Sequence, residues 1–261
     1  MEKAVEWLAC QWRESGVEAG DMLLLHSSVK RTVRRLLSER YPANVDIILD
    51  SFLEALGSEG TLLIPLFNFD FNAGKAFDIR STPSQMGALT EAARLRSGTV
   101  RTGHPVYSFA ALGRRRDLFA NIDNVSGYGA DSPFAILRRE GGKIGVLDLP
   151  DVNSMTFYHH VEELEQVDYR YRKRFTGEYT DAVGKATNRT YELVVRDIDR
   201  GVETDVDPMG ELLWNENLYR GSRANVGSGL RVIDAAVLYS RTARVIAEGL
   251  AEGLLFSIGK Q

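Results

Sequence analysis

The chain has 261 residues, 44% of them hydrophobic, with a formal net charge of −4 and one cysteine. The apolar share supports a sizeable core, and the acidic balance is the opposite of the basic footprint of a nucleic-acid binder. Cys10 alone builds no disulfide within the chain and no multi-cysteine zinc site and fits a reducing compartment. The opening residues lack a signal-peptide layout, and no run reaches the ~20 apolar residues of a membrane span. A cytoplasmic protein is expected, with neither nucleic acid nor membrane as a partner.

Residues 2–15 have the spacing of an amphipathic helix that Gly16 ends, and residues 21–26 read as a strand buried on both faces, as in a parallel sheet. It stops at His26-Ser27-Ser28, where hydroxyls and backbone N–H groups would face the crevice in which open α/β sheets bind ligands. A helix N-cap accounts for either serine taken alone. Residues 45–57 form a helix closed by Gly57, residues 59–67 a second buried strand, and residues 68–83 a loop carrying Asp70 over the sheet edge. Thr82-Pro83-Ser84 has the form of a helix start with Ser84 as the cap, leading through residues 86–96.

His104-Pro105 precedes an apolar strand that runs to Gly113. A histidine in such a turn often only holds a ring nitrogen against backbone, whereas Ser108, beside the small Ala110 and Ala111, would permit a ligand chain to approach. Asp131-Ser132-Pro133 starts a short helix, and residues 143–147 are a buried strand bounded by Gly141-Gly142.

From Met155 the spacing becomes helical, so His159 and His160 sit where a strand hands over to a helix. His159 and Glu162, three residues apart, can meet on one helix face. A carboxylate so placed orients the imidazole and stabilises its protonated form, which is the arrangement of a general base. Next, residues 169–175 alternate at strand period, with Tyr169, Tyr171, Lys173 and Phe175 on one face and Arg170, Arg172 and Arg174 on the other. Residues 190–195 return after a turn at Gly184, which predicts a hairpin over residues 169–196. Residues 231–256 read as mostly helical. No repeat or linker marks a boundary. Residues 1–261 are therefore expected to form a single three-layer α/β/α domain with a mostly parallel central sheet and an added β-hairpin.

The four histidines, His26, His104, His159 and His160, fall at strand ends or turns, which converge in a doubly wound sheet. Their placement points to one site. Adjacent histidines point in different directions on a helix, and there is no His-Glu-x-x-His spacing, so a hydrolytic metal site on His159, His160 and Glu162 is not expected. A nucleophile elbow, a phosphate-binding loop and a dinucleotide fingerprint are also missing; Gly227-Ser228-Gly229 lacks the spacing of the elbow.

The motifs in order are His26-Ser27-Ser28, Gly60-Thr61-Leu62, Thr82-Pro83-Ser84-Gln85-Met86-Gly87, His104 to Gly113, Ser132-Pro133, Gly141-Gly142-Lys143-Ile144 and Thr156 to Glu162. Over roughly residues 20–165 this series resembles the aminoglycoside 3-N-acetyltransferase family. The resemblance implies a direct transfer of acetyl from acetyl-coenzyme A, as co-substrate and without a metal, to a substrate amine. It carries His159 over as the base, Glu162 as its orienting carboxylate and Thr156 as a nearby hydroxyl, with Ser27, Ser28, Val29, Ser108 and Phe109 flanking the coenzyme.

Two positions depart from the pattern: Asp148 and Arg31 stand where the family often has glycine. The basic runs at residues 30–35 and 170–174 suit phosphates better than polycations. The expected acceptor is therefore an amino sugar linked to a nucleotide, contacted by Asp70, His160, Glu163, Arg170 and Tyr171. The alternatives are an aminoglycoside acceptor or a module that binds coenzyme A or a nucleotide without turnover. A second copy of the chain is a candidate partner.

Overall fold

The computed structural model describes residues 1–259. Helix α1 (Glu2–Glu14) buries the stripe Ala4, Leu8, Ala9 and Trp12, and Gly16, at φ 105°, turns the chain into strand β1 (Met22–Ser27). Then follow α2 (Lys30–Ser38), α3 (Val45–Leu56), β2 (Thr61–Pro65), β3 (Phe77–Asp78), α4 (Ala88–Leu95), β4 (Val100–Arg101) and β5 (Phe109–Gly113). The second half runs α5 (Pro133–Arg139), β6 (Lys143–Leu147), α6 (Phe157–Leu164), β7 (Arg170–Thr180), β8 (Ala186–Arg196) and β9 (Val202–Thr204). It ends α7 (Asp207–Asn215), β10 (Arg220–Gly221), β11 (Leu230–Asp234), α8 (Ala235–Ala247) and β12 (Phe256–Ile258).

The central sheet has the order β10-β11-β6-β1-β2-β5-β4. β1 lies parallel to β2 and β6 at its centre. β4 and β10, each antiparallel to an antiparallel neighbour, regain that direction, so only β5 and β11 oppose it. The sheet is mostly parallel in this sense, and both faces are covered, which is why β1 and β6 read as continuous apolar runs. On one face α1 and α3 pack Trp12 flat against Phe52, ring centroids 4.7 Å apart, and the Trp12 indole N–H donates to Ser51 Oγ at 2.8 Å. On the other, α5, α6 and α8 bury Phe134, Phe157, Val161 and Leu238. The added hairpin, β7 with β8, pairs with β3 in a separate three-stranded sheet.

Three expectations change. Residues 231–256 are not mostly helical: Leu230–Asp234 is a strand on the edge of β6, and only residues 235–247 are α-helix. A five-residue apolar run has too few turns for its period to separate strand from helix. The fourth helix starts at Ala88, after Gly87 at φ 118°, and Ser84 does not cap it. Instead Ser84 Oγ accepts from Met86 N and from Thr90 Oγ1 and braces the turn. Finally, Val29, not a serine, occupies the cap position of α2. No helix among the described residues is long and apolar enough to cross a membrane.

Candidate active site

The central strands β1 and β6 end side by side, with Ser28 N donating to Leu147 O at 2.8 Å. Beyond β6 the chain makes a short 3-10 turn, Asp151–Asn153, before α6. Asp151 anchors that turn. Its Oδ2 accepts from the Tyr158 and Tyr219 hydroxyls, each at 2.8 Å, and its Oδ1 from Arg231 Nη2 at 2.5 Å. Its own carbonyl accepts from Ser154 N and Met155 N. Burial pushes the Asp151 pKa up, opposed first by Arg231 and then by the tyrosine hydroxyls. The approach of α7 is possible only at Gly210, where a Cβ would lie 2.7 Å from Asp151 Cγ.

On α6 the predicted pair forms. His159 Nδ1 stands 2.7 Å from Glu162 Oε2; the imidazole side chain is 19% exposed and the carboxylate is fully buried. The same oxygen lies 2.7 Å from Arg170 Nε. Burial, then Arg170, hold the His159 pKa below its ordinary value in spite of Glu162. Glu162 is also held low: burial would raise it, but Arg170 and His159 outweigh burial. At neutral pH the ring is therefore neutral, donates Nδ1–H to Glu162, and keeps the Nε2 lone pair as acceptor.

His159 stands between two cavities. A smaller one of about 220 Å³ is walled by His26, Phe67, Met155, Thr156 and Val206 among others. A larger one of about 430 Å³ is walled by Tyr128, Arg170, Tyr171, Lys173 and Arg196 among others. Tyr107, His159 and Thr204 line both. The Tyr107 and Tyr128 rings lie 4.8 Å apart, tilted at 55°, and the Tyr128 ring meets the His159 ring edge-on at 5.2 Å.

The structure brings Thr156, His159, Arg170 and Tyr171 to these cavities and leaves the other predicted residues outside them. Ser27, Ser28 and Val29 are partly exposed at the end of β1 but line neither cavity. Ser108 and Phe109 have no exposure; Ser108 Oγ lies 3.3 Å from Leu66 O and receives the Arg101 guanidinium. Phe109 opens β5 and Ser108 just precedes it, and both side chains are buried in the protein. Asp70 pairs with Lys75 at 3.1 Å and lines neither cavity. His160 is buried on another face of α6, its Nδ1 2.6 Å from Tyr128 O, and burial pulls its pKa down to about 4. Glu163 accepts from Ser126 Oγ at 2.6 Å and pairs with Arg172 at 3.0 Å. Of the four histidines, His26 and His159 share a cavity. His104 Nδ1 instead accepts from the backbone N–H groups of Val106 and Tyr107, the structural use its turn suggested.

The arginine face of the hairpin differs from its sequence reading. Arg170 pairs with Glu162, Arg172 with Glu163 and Glu192, and Arg174 with Glu192, so the charge of this run is answered from inside the chain. The carboxylates lie elsewhere in sequence, which is why the alternation alone looked like a phosphate site. Tyr107 and Thr204 carry no sequence signal of a site role, whereas the strand-end position of His26 points to the cavity it shares with His159. Among the described residues no group of three or more His, Cys, Asp or Glu side chains could hold a metal ion.

A three-layer α/β/α chain with a His–Glu pair at a strand-to-helix junction, open to two cavities, narrows the choice of family. Residues 24–245 match the family described as aminoglycoside 3-N-acetyltransferase, and the chain belongs to it. Aminoglycoside N(3)-acetyltransferase IX of Micromonospora chalcea is 27% identical over 176 residues, 58% of this chain and 59% of that protein. The chain thus spans less than two thirds of that relative. The crystal structure of aminoglycoside acetyltransferase AAC(3)-Xa is 25% identical and superposes with a TM-score of 0.78 over 94% of this chain and 93% of its own. AAC-IIIb, solved as a binary complex with CoASH, has the same fold at 22% identity, with a TM-score of 0.76 over 97% of each chain.

Proposed function

We propose that the protein transfers an acetyl group from acetyl-coenzyme A to an amine of an aminoglycoside-type amino sugar, with His159 as general base. The observation that carries this reading is the placing of His159 where two cavities meet, with Nδ1 tied to Glu162. Direct transfer requires a thioester and an amine to reach one proton acceptor from two sides. The family membership and the names of the relatives support the donor and the acceptor.

An alkylammonium with a pKa of ~10 is almost wholly protonated at neutral pH and is no nucleophile. The ammonium first loses one proton to solvent, and His159 Nε2 takes a second from the neutral amine as its nitrogen attacks the thioester carbonyl. The carbon–sulfur bond then breaks, the amide forms, and the thiolate leaves with the proton that His159 returns. We assign to Thr156, in the wall of the smaller cavity, a hydrogen bond to the developing oxyanion.

A second reading keeps the chemistry and changes the acceptor to an anionic amine such as a nucleotide-linked amino sugar. It is favoured by Lys173 and Arg196 in the wall of the larger cavity. Following thiol release from acetyl-coenzyme A with aminoglycosides and nucleotide-linked amino sugars separates the two. Activity that survives His159→Ala would remove His159 as the base, and coenzyme A binding without turnover on any amine would make the protein a binding module.

A further inference from the structure

Arg170 brings a charge to the His–Glu pair from outside α6, which helix spacing does not supply. Its side chain is 4% exposed, its Nε lies 2.7 Å from the Glu162 oxygen that faces His159 Nδ1, and its Nη2 donates to Thr204 Oγ1 at 3.3 Å. It enters from the first residue of β7, across the turn from α6. Thr204 and His159 both line the two cavities, so the guanidinium bridges the base's carboxylate and the cavity wall. A fully buried carboxylate facing only a neutral imidazole would become protonated or would draw a proton onto the ring, because an unpaired ion in the interior is costly. An arginine stays charged at any working pH and answers the carboxylate without using the histidine's proton.

We propose that Arg170 is a positioning residue for the base: it holds the trio as neutral His159, ionised Glu162 and charged Arg170, which leaves His159 Nε2 open to accept a proton at neutral pH. The inference rests on the reading of His159 as the base. The groups that face His159 agree with it. Glu162 comes from α6 and Arg170 from β7; Tyr107, Tyr128 and Thr204 are uncharged; Lys173 and Arg196 add positive charge in the larger cavity. The carboxylate in the smaller cavity, Asp151, is committed to Arg231 and two tyrosines. Burial first and Arg170 second lower the His159 pKa, and Arg170 leads the contacts that hold Glu162 low against burial. When His159 takes the amine's proton the trio gains one positive charge, so the imidazolium gives the proton up readily to the departing thiolate.

The test is the pH dependence of kcat/KM for Arg170→Gln. With the guanidinium gone, the midpoint of the ascending limb is expected to move up by about one pH unit, a loss of about tenfold at any pH below both midpoints. Arg170→Lys keeps the charge and loses the planar fork; its midpoint is expected to stay while kcat falls. If Arg170→Gln does not fold, the ¹⁵N shifts of the His159 ring in the unaltered protein decide. The ring is expected to carry its proton on Nδ1 at pH 7 and to titrate below ~6.5, the ordinary histidine value. A folded Arg170→Gln with an unmoved midpoint, or a His159 that titrates above that value, overturns the proposal. The ring shifts report the charge state without turnover, so failure of the base assignment in the acyl-transfer assay remains a separate result.

Discussion

Glu162→Gln keeps the shape of a fully buried side chain and removes its charge. In the native protein Glu162 Oε2 meets His159 Nδ1 and Arg170 Nε, each at 2.7 Å. The variant strands Arg170, itself 4% exposed, without an anion. Removing one partner of a buried ion pair costs about 3–5 kcal/mol. The glutamine carbonyl still accepts from His159 Nδ1 and recovers about 1 kcal/mol, which leaves a net loss of about 2–4 kcal/mol. For a chain of this length 1 kcal/mol corresponds to about 2 °C, so Tm is expected to fall by about 4–8 °C. Catalysis falls separately, because the imidazole loses the group that fixes its tautomer and stabilises its protonated form; kcat is expected to drop about 100-fold. Calorimetry and thiol release read the two effects independently. A Tm within about 1 °C of the native value would refute the buried ion pair, and undiminished thiol release would refute the orienting role.

His159→Ala leaves the Glu162–Arg170 pair intact, so it is expected to melt near the native temperature while acyl transfer falls about 10²–10⁴-fold; equal destabilisation of the two variants would contradict this. Gly210→Ala drives a methyl to 2.7 Å from Asp151 Cγ and is expected to lower stability by about 1–3 kcal/mol, seen as a lower urea midpoint. An unchanged midpoint would mean that α7 moves aside freely. Burial, aided at His26 by Arg231, holds His26 and His104 at about 3 and His160 at about 4, below the 6.5 of an unfolded histidine. Unfolding therefore takes up protons, and stability contributed by these neutral rings is lost as pH falls below ~6.5. Between pH ~7.5 and ~5.5 each ring accounts for about 1.4 kcal/mol, or roughly 4 kcal/mol together. Flat urea midpoints over that window would count against burial of the three rings.

What the sequence made legible was local. The apolar runs of β1 and β6 announce strands covered on both faces, and helical spacing alone brings His159 to Glu162. What it hid depends on contacts between distant segments. The alternation at residues 169–175 declares a strand but not that Arg170, Arg172 and Arg174 will each find a carboxylate. Residues 230–234 carry no period long enough to declare β11, and without that strand nothing places Arg231 against Asp151, 80 residues earlier. Ser108 immediately precedes β5, and the register of that strand, Leu63 opposite Ala111 and Pro65 opposite Phe109, sets it beside Leu66, whose carbonyl its hydroxyl meets. A one-residue change in register exchanges the faces of a strand, so the site role given to Ser108 depended on information absent from its own segment.

The two departures from the family pattern explain one another. Asp148 adopts φ 52°, a left-handed conformation that glycine enters most easily, at the end of β6. Its side chain is 3% exposed and accepts from Arg31 Nη1 at 3.2 Å and from Asn225 N at 2.8 Å. Arg31 in turn donates to Gly227 O at 2.6 Å. Read separately, Arg31 looked like part of a surface for phosphates and Asp148 like an unrelated exchange. Together they form a part-buried ion pair, its aspartate nearly buried, that fastens the loop after β10 to the first turn of α2. The aspartate at a left-handed position is held by the arginine, whose guanidinium meets both the Asp148 carboxylate and the Gly227 carbonyl. Asp148 alone would leave a nearly buried carboxylate without its arginine, and with Asp148 present the Arg31 guanidinium is engaged within the chain at the crevice wall.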